Sequence, residues 1–229
     1  MRYVVSDIHG NYDLFVKLLR KIKFSPNDII FVLGDVIDKG KDVSKLINLL
    51  FNVLGKNALV LLGNHEFEFI NYVKGLISED ETDEIIISKC KEFLKVKDFD
   101  FDDIDNLMNL QPYYEEKDFI LVHAGVPCDE NGKLKSPKNS LVEQLIYDRR
   151  FKDENFIPND SKCVIFGHTP TVCVNNQKGK IIKYQKPNTI GNNVSDYYKV
   201  HIDTGNYLTG ILGCLRLDDM QEFYVNEFE

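Results

Sequence analysis

The 229-residue sequence has no tryptophan, no C-x-x-C pair, and no apolar run near the roughly 20 residues a bilayer-spanning helix needs. Without tryptophan, Phe and Tyr must supply the large core rings. The five cysteines (Cys90, Cys128, Cys163, Cys173 and Cys214) are scattered and odd in number. That excludes a disulfide framework or zinc-finger spacing and predicts reduced thiols in a cytoplasmic protein. Met1 to Asp7 run straight into a strand-like segment, with no apolar stretch long enough for a signal peptide. Basic residues are also few: 28 Lys and Arg against 36 Asp and Glu leave a formal charge of −8. Duplex nucleic acid is therefore disfavoured as a partner, and the lack of a bilayer-length apolar run disfavours a membrane. A phosphorylated substrate is compatible with that charge, because bound metal ions invert the local sign.

With 43% hydrophobic and 28% charged residues, the chain has the composition of a globular protein with a real core. The expectation is one domain over 1–229. Residues 2–6, 28–33 and 57–62 read as strands, separated by helical periodicity over 11–22 and 42–54. That β-α-β-α-β order predicts a largely parallel sheet, whose ligands gather beyond the carboxyl ends of the strands. Residues 67–111 read as a helical insertion of two or three helices. Further strands are expected at 118–122, 162–166, 171–175, 197–202, 209–217 and 221–225, and loops at 126–140 and 185–195. The acidic run Asp98 to Asp103 superficially suggests a calcium loop. It has Asp103 where such a loop needs Gly and Asn109 where it needs Glu, so a helix start is the better account.

Five short clusters each follow an apolar strand: Ser6-Asp7-Ile8-His9-Gly10-Asn11, Gly34-Asp35-Val36-Ile37-Asp38-Lys39-Gly40, Gly63-Asn64-His65-Glu66, His123-Ala124-Gly125 and Gly167-His168-Thr169. Four of the five histidines lie in them, beside Gly or Asn. A pair of divalent cations, about 3.5–4 Å apart, needs a bridging carboxylate and several oxygen and imidazole ligands. Asp7 and His9, at i and i+2 on an extended segment, would point the same way and hold one ion. Asp35 is the natural bridge, and Asn64, His123 and His168 would complete the second ion. Nitrogen and oxygen donors without thiolate suit Mn²⁺ first, with Fe or Zn²⁺ as alternatives. Taken singly, Asp7 could merely start a turn, His123 could be a core histidine, and Asp38 could cap the 42–54 helix. His201 reads as a strand residue, and Asp203 as a support behind the metal site.

In their order and spacing these clusters resemble the motifs of the PPP-type metallophosphoesterases, a family that includes serine/threonine protein phosphatases and their bacterial and phage relatives. The resemblance implies an α/β metallophosphoesterase fold of two packed mixed β-sheets flanked by helices. It implies the metal ligands Asp7, His9, Asp35, Asn64, His123 and His168. It makes His65 the general acid and Asp38 the carboxylate that orients it. It also places an Arg on the phosphate from a Trp-x-Arg segment. Tyr147-Asp148-Arg149 stands there, which nominates Arg149, although Arg150 adjoins it. Lys39 replaces the usual Arg of a further motif and is a second candidate phosphate contact, or else a solvated surface lysine.

The function expected is metal-dependent phosphoester hydrolysis of the protein-phosphatase type. The alternatives are a dinucleoside polyphosphate (diadenosine tetraphosphate) hydrolase and a catalytically silent scaffold. The substrate would be a phosphoprotein, nucleotide or small phosphoester, with specificity expected in the insertion and the two loops.

Overall fold

The computed structural model describes residues 1–175 and 179–228. Among the described residues ten strands form two sheets. In chain order the strands are β1 (Arg2–Val5), β2 (Ile29–Val32), β3 (Ala58–Val60), β4 (Tyr113–Glu115), β5 (Phe119–Val122), β6 (Cys163–Phe166), β7 (Ile182–Gln185), β8 (Tyr197–His201), β9 (Ile211–Arg216) and β10 (Glu222–Asn226). The first sheet runs β10-β9-β1-β2-β3 and the second β4-β5-β6-β8-β7. Each has three parallel strands: β1, β2 and β3 at one end of the first sheet, β5, β6 and β8 in the middle of the second. Antiparallel strands extend both sheets.

The pleat explains how the sheets pack, since alternate residues face opposite sides. Val4, Phe31 and Leu33 of the first sheet meet Phe119, Leu121, Cys163 and Ile165 of the second in one core between them. The intervening residues Val5, Ile30 and Val32 face outward into a core shared with helices. On the far side Ile120, Val122, Val164 and Phe166 face Leu145, Ile146 and Phe151. Because the central strands are buried on both faces, they read as continuous apolar runs rather than as alternation. The result is two mixed sheets between helical layers, the fold class expected.

The helices are α1 (Tyr12–Lys21), α2 (Val43–Ile47), α3 (Asn64–Ser78), α4 (Asp83–Leu94), α5 (Phe101–Met108), α6 (Val142–Tyr147), α7 (Val172–Asn175) and α8 (Asn206–Thr209). Helices α3, α4 and α5 fill the expected helical region, but α3 starts at Asn64, inside the third cluster. They contribute Phe69, Val73, Ile86, Cys90 and Leu107 to the core over the first sheet. The acidic run is a helix start: Asp100 accepts from the Asp103 amide, and Asp103 accepts in return.

Several expectations need correction. The 171–175 segment is the helical turn α7, not a strand. Thr171 donates to Asp203 O, and Cys173 then folds back onto Pro170 O, so its β-branched residues never join a ladder. The 42–54 helix is regular only through α2, then widens into a π-helical stretch over Asn48–Leu54 and ends at Gly55. Its N-cap is Asp42, which removes that role from Asp38. Strand β9 begins at Ile211 because α8 occupies 206–209, and strands β4 and β7 and helix α6 lie outside the segments expected. No helix among the described residues is long and apolar enough to cross a membrane.

Candidate metal centre

The parallel strands of both sheets deliver the five clusters to one edge. Asp7 and His9 follow β1, Asp35 follows β2, and Asn64 and His65 follow β3; His123 follows β5 and His168 follows β6. Asp7 and His9 do not lie on an extended segment. Their φ angles are 53° and 51°, and Asp35, Asp38, Lys39 and His168 are left-handed as well. These six are most of the eleven such non-glycine residues described, so backbone strain is concentrated at the site. It is held there by adjacent turns: Asp7 N donates to Gly34 O, His9 N to Asp35 O, and Gly10 N to Val36 O. Two glycines permit the close approach. A Cβ at Gly63 would overlap the Asp35 carboxylate, and one at Gly167 would overlap Ser6 Oγ and the Asp7 carboxylate.

Glu66, in the third cluster, has a role the sequence did not disclose. It is 0% exposed. One carboxylate oxygen accepts from Asp35 N (2.8 Å) and Gly63 N (3.0 Å), the other from Val36 N (2.8 Å) and Ile37 N (3.1 Å). Four amides thus solvate a buried charge and fasten the start of α3 to the turn after β2.

Asp35 is at the centre. Its Oδ2 is 3.7 Å from His9 Nε2 and 3.7 Å from His65 Nε2, while Oδ1 is 3.5 Å from His123 Nε2. Two groups of potential ligand atoms therefore share it: His9–Asp35–His65 and Asp35–His123–His168. Asn64 Oδ1 completes the second group, 3.0 Å from His123 Nε2 and 2.9 Å from His168 Nδ1. Asp7 enters neither tight group. Its Oδ2 accepts from the Ser6 hydroxyl and from His168 N.

These groups fit a cation. His9 Nδ1 is 3.1 Å from Ile37 O and His123 Nδ1 is 2.6 Å from Leu33 O. Carbonyls only accept, so each ring carries a proton on Nδ1, and in the neutral form its Nε2 offers a bare lone pair. Those lone pairs converge with the oxygens of Asp35 and Asn64, an acceptor-rich cluster that calls for positive charge. The Lys39 ammonium, 2.9 Å from His9 Nε2, now stands where an ion on that nitrogen would lie.

The titration shifts agree. Burial, with the charges of Asp7 and Glu66, pushes Asp35 well above the ordinary carboxylate range. Burial acts the same way on Asp7, but His123, His9 and the Ser6 and His168 hydrogen bonds outweigh it and hold Asp7 low. Burial, with Lys39 nearby, lowers His9 to about 4; burial, with His123 nearby, lowers His168 to about 3. Neutral imidazoles around a carboxylate that resists ionisation suit metal ligation. His168 is the least braced, since its buried Nε2 has no partner among the described residues.

Around this cluster, His65 Nδ1 is 2.9 Å from Asp38 Oδ2, which orients the ring. Arg150 is committed to Asp148 through both carboxylate oxygens. Arg149 is exposed, close enough for its charge to act on His168, and makes no side-chain hydrogen bond or ion pair among the described residues. Tyr147 donates to Glu68 Oε1 at 3.1 Å. Asp203 is buried and pushed up by burial and by Asp7, and its Oδ1 accepts from Gly205 N. Asn206, which the sequence did not single out, donates its side-chain amide to Asp7 O. His201 stacks on Phe166 at 4.5 Å, with Nε2 against Thr169 O, away from the cluster. The two hollows beside the site are walled by the turns at 9–13 and 39–42 and by 203–208, not by the insertion or loops where specificity was expected.

The fold and the doubly shared carboxylate define a class, and the comparisons agree: the chain belongs to the calcineurin-like phosphoesterase family, whose profile matches residues 2–203. That family implies a dinuclear divalent-metal site and places the chain among metal-dependent phosphoester hydrolases. More particularly, the chain is 31% identical over 134 residues to the symmetrical bis(5'-nucleosyl)-tetraphosphatase of Aggregatibacter actinomycetemcomitans, covering 56% of this chain and 45% of that protein. It is 33% identical over 128 residues to the protein of that name from Wigglesworthia glossinidia brevipalpis, covering 54% and 44%. The chain thus spans about half the length of the curated relatives it matches. Among solved structures, one provisionally assigned as a diadenosine tetraphosphatase matches 98% of this chain and 92% of its own, with TM-score 0.70 and 18% identity. A cold-active protein-tyrosine phosphatase of a psychrophilic Shewanella matches with TM-score 0.57, 14% identity and coverages of 98% and 80%. At those identities the likeness is one of fold.

Proposed function

We propose that the chain hydrolyses dinucleoside polyphosphates, splitting a dinucleoside tetraphosphate into two nucleoside diphosphates. The observation that carries the metal chemistry is Asp35, one carboxylate shared by two groups of nitrogen and oxygen donors. The substrate class is supported by relatives named as symmetrical tetraphosphatases. This reading replaces the protein-phosphatase-type activity expected first from the motifs, which no curated relative described above supports.

Asp7, His9 and Asp35 would hold one ion, and Asp35, Asn64, His123 and His168 the other, with Mn²⁺ the ion best suited to these donors. When bound, the ions neutralise phosphate charge and activate water. Arg149, with no competing partner among the described residues, would grip phosphate oxygens with its planar fork. Lys39 would leave His9 for the ion and place its ammonium on the phosphate chain. His65 would protonate the leaving oxygen from Nε2, oriented by Asp38 at Nδ1. Unpaired thiols at all five cysteines accord with a reducing, cytoplasmic setting.

The test is a Mn²⁺-supported panel of diadenosine tetraphosphate, phosphoserine and phosphothreonine peptides and small phosphomonoesters, with products identified. ADP as the sole nucleotide product, at the highest kcat/KM of the panel, is expected. A phosphopeptide turned over faster, with the dinucleotide left intact, would return the assignment to a protein phosphatase.

A further inference from the structure

Tyr207 is a large ring beside the metal cluster that the mechanism leaves unused. A hollow of about 230 Å³ over Asp7, His9 and His168 is walled on one side by Tyr207. A second hollow, of about 340 Å³, shares Tyr207, Lys39 and His9 and leads away towards Asn11 and Lys41. The ring therefore borders both the place where phosphate would be cleaved and the space into which one half of a long substrate would extend.

Its mounting is rigid and its face is bare. Helix α8 is a single turn between two left-handed glycines, Gly205 (φ 67°) and Gly210 (φ 70°). Buried Asn206 ties the turn to Asp7 O, and the Thr209 hydroxyl closes it onto Thr204 O at 3.1 Å and Gly205 O at 3.0 Å. On this fixed base the Tyr207 side chain is 62% exposed. Among the described residues it has no aromatic neighbour, and its hydroxyl has no hydrogen-bond partner. The Lys39 ammonium lies 5.8 Å from its centroid. A preorganised aromatic face loses little entropy on capturing a flat ligand group, and every nucleobase offers such a face. Lys39 beside it is placed for phosphates leading to that base.

We propose that Tyr207 is a specificity residue that stacks on the base of one nucleoside half of the substrate, with Lys39 on the phosphates between that base and the metal cluster. This assignment rests on the dinucleoside polyphosphate reading, and the experiment separates the two. Wild type, Tyr207→Ala and Tyr207→Trp are compared for kcat and KM on diadenosine tetraphosphate with Mn²⁺. Competitive inhibition by ADP and by pyrophosphate is measured alongside, with metal content and melting temperature checked in each variant. Tyr207→Ala should raise KM and the ADP inhibition constant about tenfold, equivalent to about 1.4 kcal/mol, with kcat within about twofold. The pyrophosphate constant should not move, and Tyr207→Trp should restore both values. An Ala variant with unchanged KM and ADP constant would overturn the stacking role while leaving the nucleotide reading intact. ADP and pyrophosphate constants rising together would also overturn it, because the loss would then lie in phosphate binding. A wild-type chain that does not cleave the dinucleotide would overturn the nucleotide reading, and the Tyr207 assignment with it.

Discussion

The two sheets contribute different chemistry to the same edge. The first brings nearly all of the charge: Asp7, Asp35 and the buried Glu66 beneath them, within 60 residues of chain. The second brings His123 and His168, both neutral when their ring nitrogens serve as ligands. The first is braced by backbone, with four amides on Glu66 and three bonds between the turns after β1 and β2. The second is braced unevenly. His123 has Leu33 O, while His168 Nε2 has no partner among the described residues. The first sheet thus carries a buried electrostatic load that cations would relieve, and the second supplies donors that add nothing to it.

The largest effect expected is on catalysis, within the first sheet's contribution. His65→Asn should slow turnover by about 10²–10⁴-fold, the usual worth of general acid catalysis, with metal content unchanged. The loss should shrink for aryl esters, whose leaving oxygen needs less protonation. Because His65 Nε2 is also 3.7 Å from Asp35 Oδ2, metal analysis decides the role: lost metal would make His65 a ligand instead of an acid.

The next effect is on stability. Glu66→Ala strands four buried amides and should lower stability by about 3 kcal/mol or more, read as a fall in the denaturant midpoint. Alanine at His201, on the second sheet, should leave the metal site's affinity intact, since its ring faces Phe166 and Thr169. If Glu66→Ala were as stable as wild type, the contrast between the sheets would fail.

A smaller effect is on pH dependence, in the second sheet. Lys199 is fully buried and donates to Phe151 O and Asp153 O, holding the segment after Arg149. Burial lowers its pKa to about 8. The unfolded lysine titrates near 10.4, so between about pH 8 and 10 the unfolded chain holds more protons, and this group's contribution to stability rises with pH. Lys199→Met should remove that rise, on the order of 1 kcal/mol across the window, in parallel melts at each pH.

How much was legible follows the same division. The ligand-bearing clusters were readable because each follows an apolar run, and a strand that ends in Asp, His, Asn and Gly advertises its own end. Their backbone was not. The i, i+2 spacing of Asp7 and His9 fits an extended strand as well as the two left-handed residues found, and only the bonds to the neighbouring turn decide. Glu66 was visible but mute, because its four partners include three amides some thirty residues earlier. Strands β4 and β7 are short edge pieces, and Thr171-Val172 has β-branched composition in a helical turn, so tertiary contacts overrode propensity there. Tyr207 carried no local signal at all: an exposed Tyr is ordinary until Asn206 is seen tied to Asp7.

The most direct measurement counts ions on wild type and Asp35→Asn by calorimetric titration with Mn²⁺, paired with melting of both chains free of metal. In the folded chain Asp35 is held well above its ordinary range, so its ionisation opposes folding, and its contribution falls as pH rises above about 4. Metal-free Asp35→Asn should therefore melt higher than metal-free wild type at pH 7. Wild type should bind two ions per chain, and the variant should bind both at least about tenfold more weakly. An Asp35→Asn chain that still takes two ions at wild-type affinity would contradict the shared-carboxylate account.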